Sequence, residues 1–274
     1  MGIIIMIDSG ASLPSSILKR KDIHVVPLRA ELKENKVVEL NENNHEINSD
    51  SIFVVRKPHI ADIKNIVDKY IEEGLDVLYI TLSSKLSNEY EDLAKAFKDY
   101  DHNQISIVDS LNVGTGQALL TLKAIELVDK GYGLKYISNN INELKHTIKS
   151  TYIIENFPFM YSQNICKDFE SKYINFKDRY PILNLYEGDA RVCYNSAKLD
   201  VAYQILEDNI FDNINLNCEN EILITYVSNK EEAEKIKKSL KRRAHNINVT
   251  LIKSNSFLKL CLGEKGMCYS IIKK

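Results

Sequence analysis

Three short segments in the first half of the chain gather hydroxyl and carboxyl groups ahead of helical patterns. They are Asp8-Ser9-Gly10, Ser83-Ser84-Lys85-Leu86-Ser87-Asn88 and Asp109-Ser110-Leu111-Asn112-Val113-Gly114-Thr115-Gly116. A helix start offers free backbone N–H groups and a partial positive charge, and serine hydroxyls add short donors, so such segments suit an anion. The same residue types are ordinary N-caps and turn formers, and Ser87 is well placed to cap the helix after it. One such segment reads as a cap. Three in one half of a chain bring the site reading level with it. Lys85 is the single cation in the three segments, and neither GxxxxGK[ST] nor GxGxxG occurs, which disfavours a nucleotide triphosphate or dinucleotide. A lone carboxylate fits so little positive charge. Serine nucleophilic catalysis needs a base, there is no GxSxG, and spacing places none of the six histidines beside a serine. Asp8 and Asp109 at strand ends do not specify a metal site, so no metal and no cofactor are expected.

For these segments to meet, they must stand at the carboxyl ends of neighbouring parallel strands. The pattern supplies such strands at Ile3 to Ile7, Val77 to Thr81 and Ile105 to Val108, with a further strand at His24 to Leu28. Helical spacing predicts helices over Ile60 to Ile71, Leu86 to Phe97, Gly116 to Lys130 and Leu134 to Lys149. Residues 33–50 read as a polar ribbon and loop. Alternating strands and helices imply crossovers and a parallel sheet. The second half changes rhythm. Strands are predicted at Thr151 to Ile154, Ile182 to Tyr186, Ile222 to Val227, Ile247 to Ile252 and Met267 to Ile272, with helices near Ser196 to Glu207 and Lys230 to Arg243. This is the pattern of a two-layer α+β domain, with a boundary near residue 155.

The whole chain narrows the function classes. It has 274 residues, 44% hydrophobic and 27% charged, which suits one large or two smaller globular domains. A net charge of −2 argues against a nucleic-acid binder. The apolar run Ile3 to Ile7 is too short to span a bilayer and lacks the flanks of a signal peptide, so a cytoplasmic protein with at most peripheral or transient membrane contact is expected. Five widely spaced cysteines without CxxC suggest free thiols rather than a disulfide framework or zinc site. The basic run Lys235 to Arg243 ends a helix that opens with Glu231, Glu232 and Glu234, which complements the helix dipole and reads as a solvated face.

Taken in order, the segments resemble the DegV family of bacterial fatty-acid-binding proteins. Ile7-Asp8-Ser9-Gly10 and Val25-Val26-Pro27-Leu28 resemble its opening strand with T-D-S and its V-V-P-L. Ser83-Ser84-Lys85-Leu86-Ser87-Asn88-Glu89-Tyr90 resembles S-S-x-L-S-G-T-Y, and Ile107-Val108-Asp109-Ser110 with Gly114-Thr115-Gly116 resembles V-x-D-S with G-x-G. Tyr180-Pro181-Ile182-Leu183 and Gly188 are a weaker echo of K-P-I-L and a glycine turn. The resemblance implies a Rossmann-like parallel sheet in a three-layer α/β/α domain, residues 1–155. It implies a smaller two-layer α/β domain with a mixed sheet, residues 156–274, as the lid that completes an apolar tunnel. It implies that a long-chain fatty acid binds with its carboxylate at the serine loop and is presented to a separate fatty acid kinase, the chain itself not being an enzyme.

The expected ligand-binding set is Ser83, Ser84, Ser87, Asp8, Ser9, Asp109, Ser110, Gly116 and His59. Three departures accompany it. Val55 stands where the family has a threonine that helps hold the carboxylate, Ser162-Gln163-Asn164-Ile165 lacks the arginine of G-G-R-I, and Cys261 to Gly266 lacks the histidine of H-x-G-P-G. Asn88-Glu89 replaces Gly-Thr and sets a carboxylate near the head group. Arg56, Lys57 and His59 are candidate replacement donors, and His59 also reads as an exposed helix-start residue. The alternatives are a divergent relative that binds another amphiphile or acts only through a protein partner, and a small-acid hydrolase or transferase.

Overall fold

The protein is described by a computed structural model, whose described residues are 2–33, 36–41, 52–163 and 179–273. The first half contains β1 (Ile3–Asp8), α1 (Ser15–Leu18), β2 (Ile23–Val26), β3 (Leu28–Leu32), β4 (Val37–Leu40), β5 (Ile52–Arg56), α2 (Ile60–Glu72), β6 (Asp76–Thr81), α3 (Glu89–Ala96), β7 (Ile105–Asp109), α4 (Thr115–Asp129) and α5 (Leu134–Leu144). The second contains β8 (Ile148–Ile153), α6 (Phe157–Ser162), β9 (Tyr180–Tyr186), β10 (Asp189–Ser196), α7 (Leu199–Asn213), β11 (Asn220–Tyr226), α8 (Lys230–Arg243), β12 (Ile247–Lys253), α9 (Ser256–Leu262) and β13 (Met267–Ile272).

A four-stranded parallel sheet has the order β2-β1-β6-β7. Every residue of β1 is buried, as expected for a strand covered on both faces. Ile4, Met6, Val77 and Tyr79 pack one way, against Ile63 and Val67 of α2 and Leu93 of α3. Ile5, Ile7, Leu78 and Ile80 pack the other way, against α4 and α5. A mixed six-stranded sheet has the order β10-β9-β8-β13-β11-β12 and is covered on its far face by α7 and α8. Helix α4 lies between the two sheets, which explains its composition. Ala118, Leu119, Leu120, Ala124 and Ile125 are buried together with Thr115, Gln117 and Thr121, so it is apolar on more than one face. A small antiparallel sheet, β4-β3-β5, stands beside the parallel one.

The α/β class with a parallel and a mixed sheet is as expected, β5 and β10 are additional strands, and the expected boundaries shift most at four places. The strand expected over His24 to Leu28 is two strands in different sheets. Pro27 has no N–H to continue a ladder, and Leu28 donates instead to Ser9 Oγ at 2.9 Å. The helix expected from Leu86 begins at Glu89, because Leu86 and Ser87 both bond back to the Ser83 carbonyl in a turn. The helix expected to Lys149 ends at Leu144, because Ile148 onward pairs with β13 and β9 as β8. The helix expected from Ser196 begins at Leu199, because Ser196 pairs with Tyr180 as the last residue of β10. Of the ribbon expected over residues 33–50, Val37–Leu40 is strand; residues 42–50, like Asn164, Ile165 and Cys166, lie outside the described residues. Among the described residues Cys193, Cys218, Cys261 and Cys268 are free thiols, and no helix is long and apolar enough to cross a membrane.

Candidate functional site

The three segments do converge, but mostly to bind one another. Asp8 ends β1 with its carboxylate fully buried. It accepts the N–H groups of Gly10 (2.7 Å) and Leu82 (2.6 Å) and the side-chain amide of Gln117 on α4 (3.0 Å). Burial pushes its pKa up to about 6, against the lowering effect of those donors. Ser9 Oγ is spent on Leu28, as above. Asp109 accepts the N–H groups of Ser84 (3.1 Å) and Leu111 (2.9 Å). Ser110 exchanges bonds with the backbone of Asn112. Ser83 is completely buried, and its hydroxyl donates to the Gly188 carbonyl at the β9–β10 turn (2.7 Å) while accepting the Lys85 N–H. Gly116 opens α4 where a Cβ would lie 2.2 Å from Asn112 Oδ1, so it secures close packing. His59 is exposed at the start of α2 and pairs with Arg29.

A cavity of about 710 Å³, its open mouth included, lies where the parallel sheet, the small antiparallel sheet and the mixed sheet meet. Its walls are Leu28, Val55, Leu82, Leu86, Val113, Ile154, Met160, Phe257, Leu258, Cys261 and Leu262, and they belong largely to one apolar cluster. Tyr152 crosses it, donating its phenol to the Val113 carbonyl at 2.8 Å. Polar groups are few: Arg56, Lys57, Ser87 and Gln163. Of the nine expected site residues, Ser87 alone lines this cavity.

The polar groups have distinct states. Ser87 Oγ accepts the Glu89 N–H (3.2 Å), the capping role expected of it, which leaves its own hydrogen to donate. Lys57 Nζ donates to Asn88 Oδ1 (2.9 Å) and pairs with Asp92, both at the start of α3. Arg56 pairs with Glu31 at 3.1 Å with a half-exposed side chain. Gln163 accepts the Val55 N–H (2.7 Å), tying α6 to β5 across the cavity. Burial pushes the Cys261 thiol up to about 12, so it is an apolar wall group rather than a nucleophile.

The apolar walls supplied by α6 and α9 were not identified as site residues from the sequence, and the available signal was indirect. Two of the three departures from the DegV pattern, at Val55 and Cys261, line the cavity, while the missing arginine falls at Asn164, outside the described residues.

Comparisons with known proteins cover the whole chain. The family model described as an uncharacterised protein of the DegV family matches residues 2–274. A DegV domain-containing protein of Clostridium perfringens is 26% identical over 198 residues, 69% of this chain and 70% of that one. Among solved structures, a DegV family protein from Thermus thermophilus, described as fatty acid binding, superposes with a TM-score of 0.85 at 17% identity over 100% of both chains. The fatty acid kinase B3 protein of Streptococcus pneumoniae, solved loaded with linoleic acid, gives 0.80 at 15% identity, again over 100% of both. These likenesses show a shared fold, and with the match to the family model they establish that the chain belongs to the DegV family.

Proposed function

We propose that the protein binds a long-chain fatty acid, with the chain in the apolar cavity and the carboxylate at its mouth. The observation that carries this is the lining itself, a largely apolar wall with a hydroxyl donor, Ser87, and two cations, Lys57 and the Glu31-paired Arg56. Each buried CH₂ contributes about 0.8 kcal/mol, so a sixteen-carbon chain supplies roughly 10 kcal/mol before ordering costs. The head group therefore needs only to be positioned. A carboxylate at the mouth takes the Ser87 hydroxyl and draws Lys57 from its bonds with Asn88 and Asp92. Ser83, Ser84, Asp8, Ser9, Asp109, Ser110 and Gly116 hold the loop in shape behind Ser87, and His59 stands apart.

Presentation of the acid to a separate kinase, which would make it an acyl phosphate, is the role that best fits the named neighbour from Streptococcus. The test is a titration with the fluorescent acid cis-parinarate. Ser87→Ala and Lys57→Ala should each weaken binding about five- to tenfold, the worth of one hydrogen bond of about 1 kcal/mol or one charge-assisted bond. Unchanged affinity in both variants would place the head group elsewhere.

A further inference from the structure

Glu89 is the first residue of α3 and has no counterpart in the mechanism above. Its side chain is completely buried. One carboxyl oxygen is bonded by the Tyr79 hydroxyl at 2.7 Å, and the other has no hydrogen-bond partner among the described residues. Its backbone N–H donates to the hydroxyl of Ser87, a residue of the cavity wall, so one hydrogen bond links Glu89 to the proposed head-group position.

Three groups on neighbouring elements act on its charge. Tyr79 of β6 touches it, the Asp8 carboxylate of β1 repels it, and Lys57 beyond β5 is the cation that favours its charge. Lys57, however, is already bonded to Asn88 and Asp92. A buried carboxylate with one bare oxygen and no cation of its own is costly to ionise. Burial first, and then Asp8, hold its pKa well above the usual carboxyl range.

We propose that Glu89 is held as a neutral carboxylic acid beside the cavity wall, and that an anionic head group binds at Ser87 more tightly while Glu89 keeps its proton. The proposal rests on the fatty-acid reading above and adds to it that uptake of the acid is proton-linked. A second anion at the mouth raises the proton affinity of Glu89 further, so binding and protonation favour one another.

Two measurements on delipidated full-length protein test it. The first is cis-parinarate affinity from about pH 5 to about pH 9, with the methyl ester as the uncharged probe. Wild type should lose about tenfold in affinity for the acid across that range, equal to one pKa unit of mutual repulsion, and the ester should not. Glu89→Gln should bind the acid as tightly at the alkaline end as wild type does at the acid end. An equal slope in Glu89→Gln overturns the proposal.

The second measurement needs no ligand. A folded state that keeps the Glu89 proton after the unfolded chain has lost it must lose stability as pH rises above the ordinary carboxyl range. Urea unfolding should show wild type falling relative to Glu89→Gln over that interval, and parallel curves would contradict it. Carboxyl ¹³C titration of the wild type gives the same answer without a substitution, as one glutamate still protonated after the others have titrated. If neither acid nor ester binds at any pH, the function itself fails and the linkage with it, while the unfolding curves still decide the charge of Glu89.

Discussion

Ser83 and Ser87 stand four residues apart in one loop and do opposite work. The Ser83 hydroxyl is locked between the Gly188 carbonyl and the Lys85 N–H in a fully buried position, where it pins the tip of the β9–β10 hairpin onto the loop after β6. Ser87 faces the cavity with a hydrogen to give. A contact buried on both sides costs more to break than a net hydrogen bond is worth, because the abandoned partners stay dry. Ser83→Ala should therefore lower unfolding stability by about 1–3 kcal/mol, read from the urea midpoint, where the loss at Ser87→Ala appears in affinity. The sequence singled out Ser87 as the helix cap and offered Ser83 or Ser84 as the head-group donor, without showing that the Ser83 hydroxyl is consumed. Both are small donors in a turn, and the partner that consumes the Ser83 hydroxyl comes from the other sheet, 105 residues later.

At the scale of elements, the parallel strands, the helices between them and the strands of the second half other than β10 could be read from apolar runs and helical spacing, because those patterns report burial directly. The departures came where a distant partner decided the outcome. Residues 148–149 have helical neighbours on the N-terminal side, yet begin β8 because β13 offers them a ladder, joined by β9 from Thr151 onward. The helix α4 shows the strictest fit. Alanine in place of Gly116 would gain about 1 kcal/mol of helix propensity. Its Cβ, however, would lie 2.2 Å from Asn112 Oδ1 and 2.8 Å from Ser150 Oγ, and overpacking of that kind costs about 1–3 kcal/mol or more. The clash dominates, and Gly116→Ala should unfold at a lower urea concentration than wild type. A rise in the midpoint would mean that the loop before α4 yields more easily than its hydrogen bonds suggest.

The whole molecule places its cavity where three sheets meet, and no single segment contains it. Leu82 and Leu86 come from the serine loop, Val55 from the small sheet, Ile154 and Tyr152 from the mixed sheet, and Phe257 and Cys261 from α9. The hydroxyl-rich serine loop was visible in the sequence; the apolar wall opposite it was not, because short buried segments such as Phe257 to Leu262 resemble any core. The central claim is that this cavity holds a long-chain fatty acid. Native mass spectrometry of protein expressed in bacteria tests it most directly, comparing wild type with Cys261→Trp, whose indole would fill the cavity. The account predicts a mass excess matching a long-chain fatty acid on the wild type and its loss from the folded variant. Wild-type protein carrying no acid, or a variant that retains it, would contradict the account.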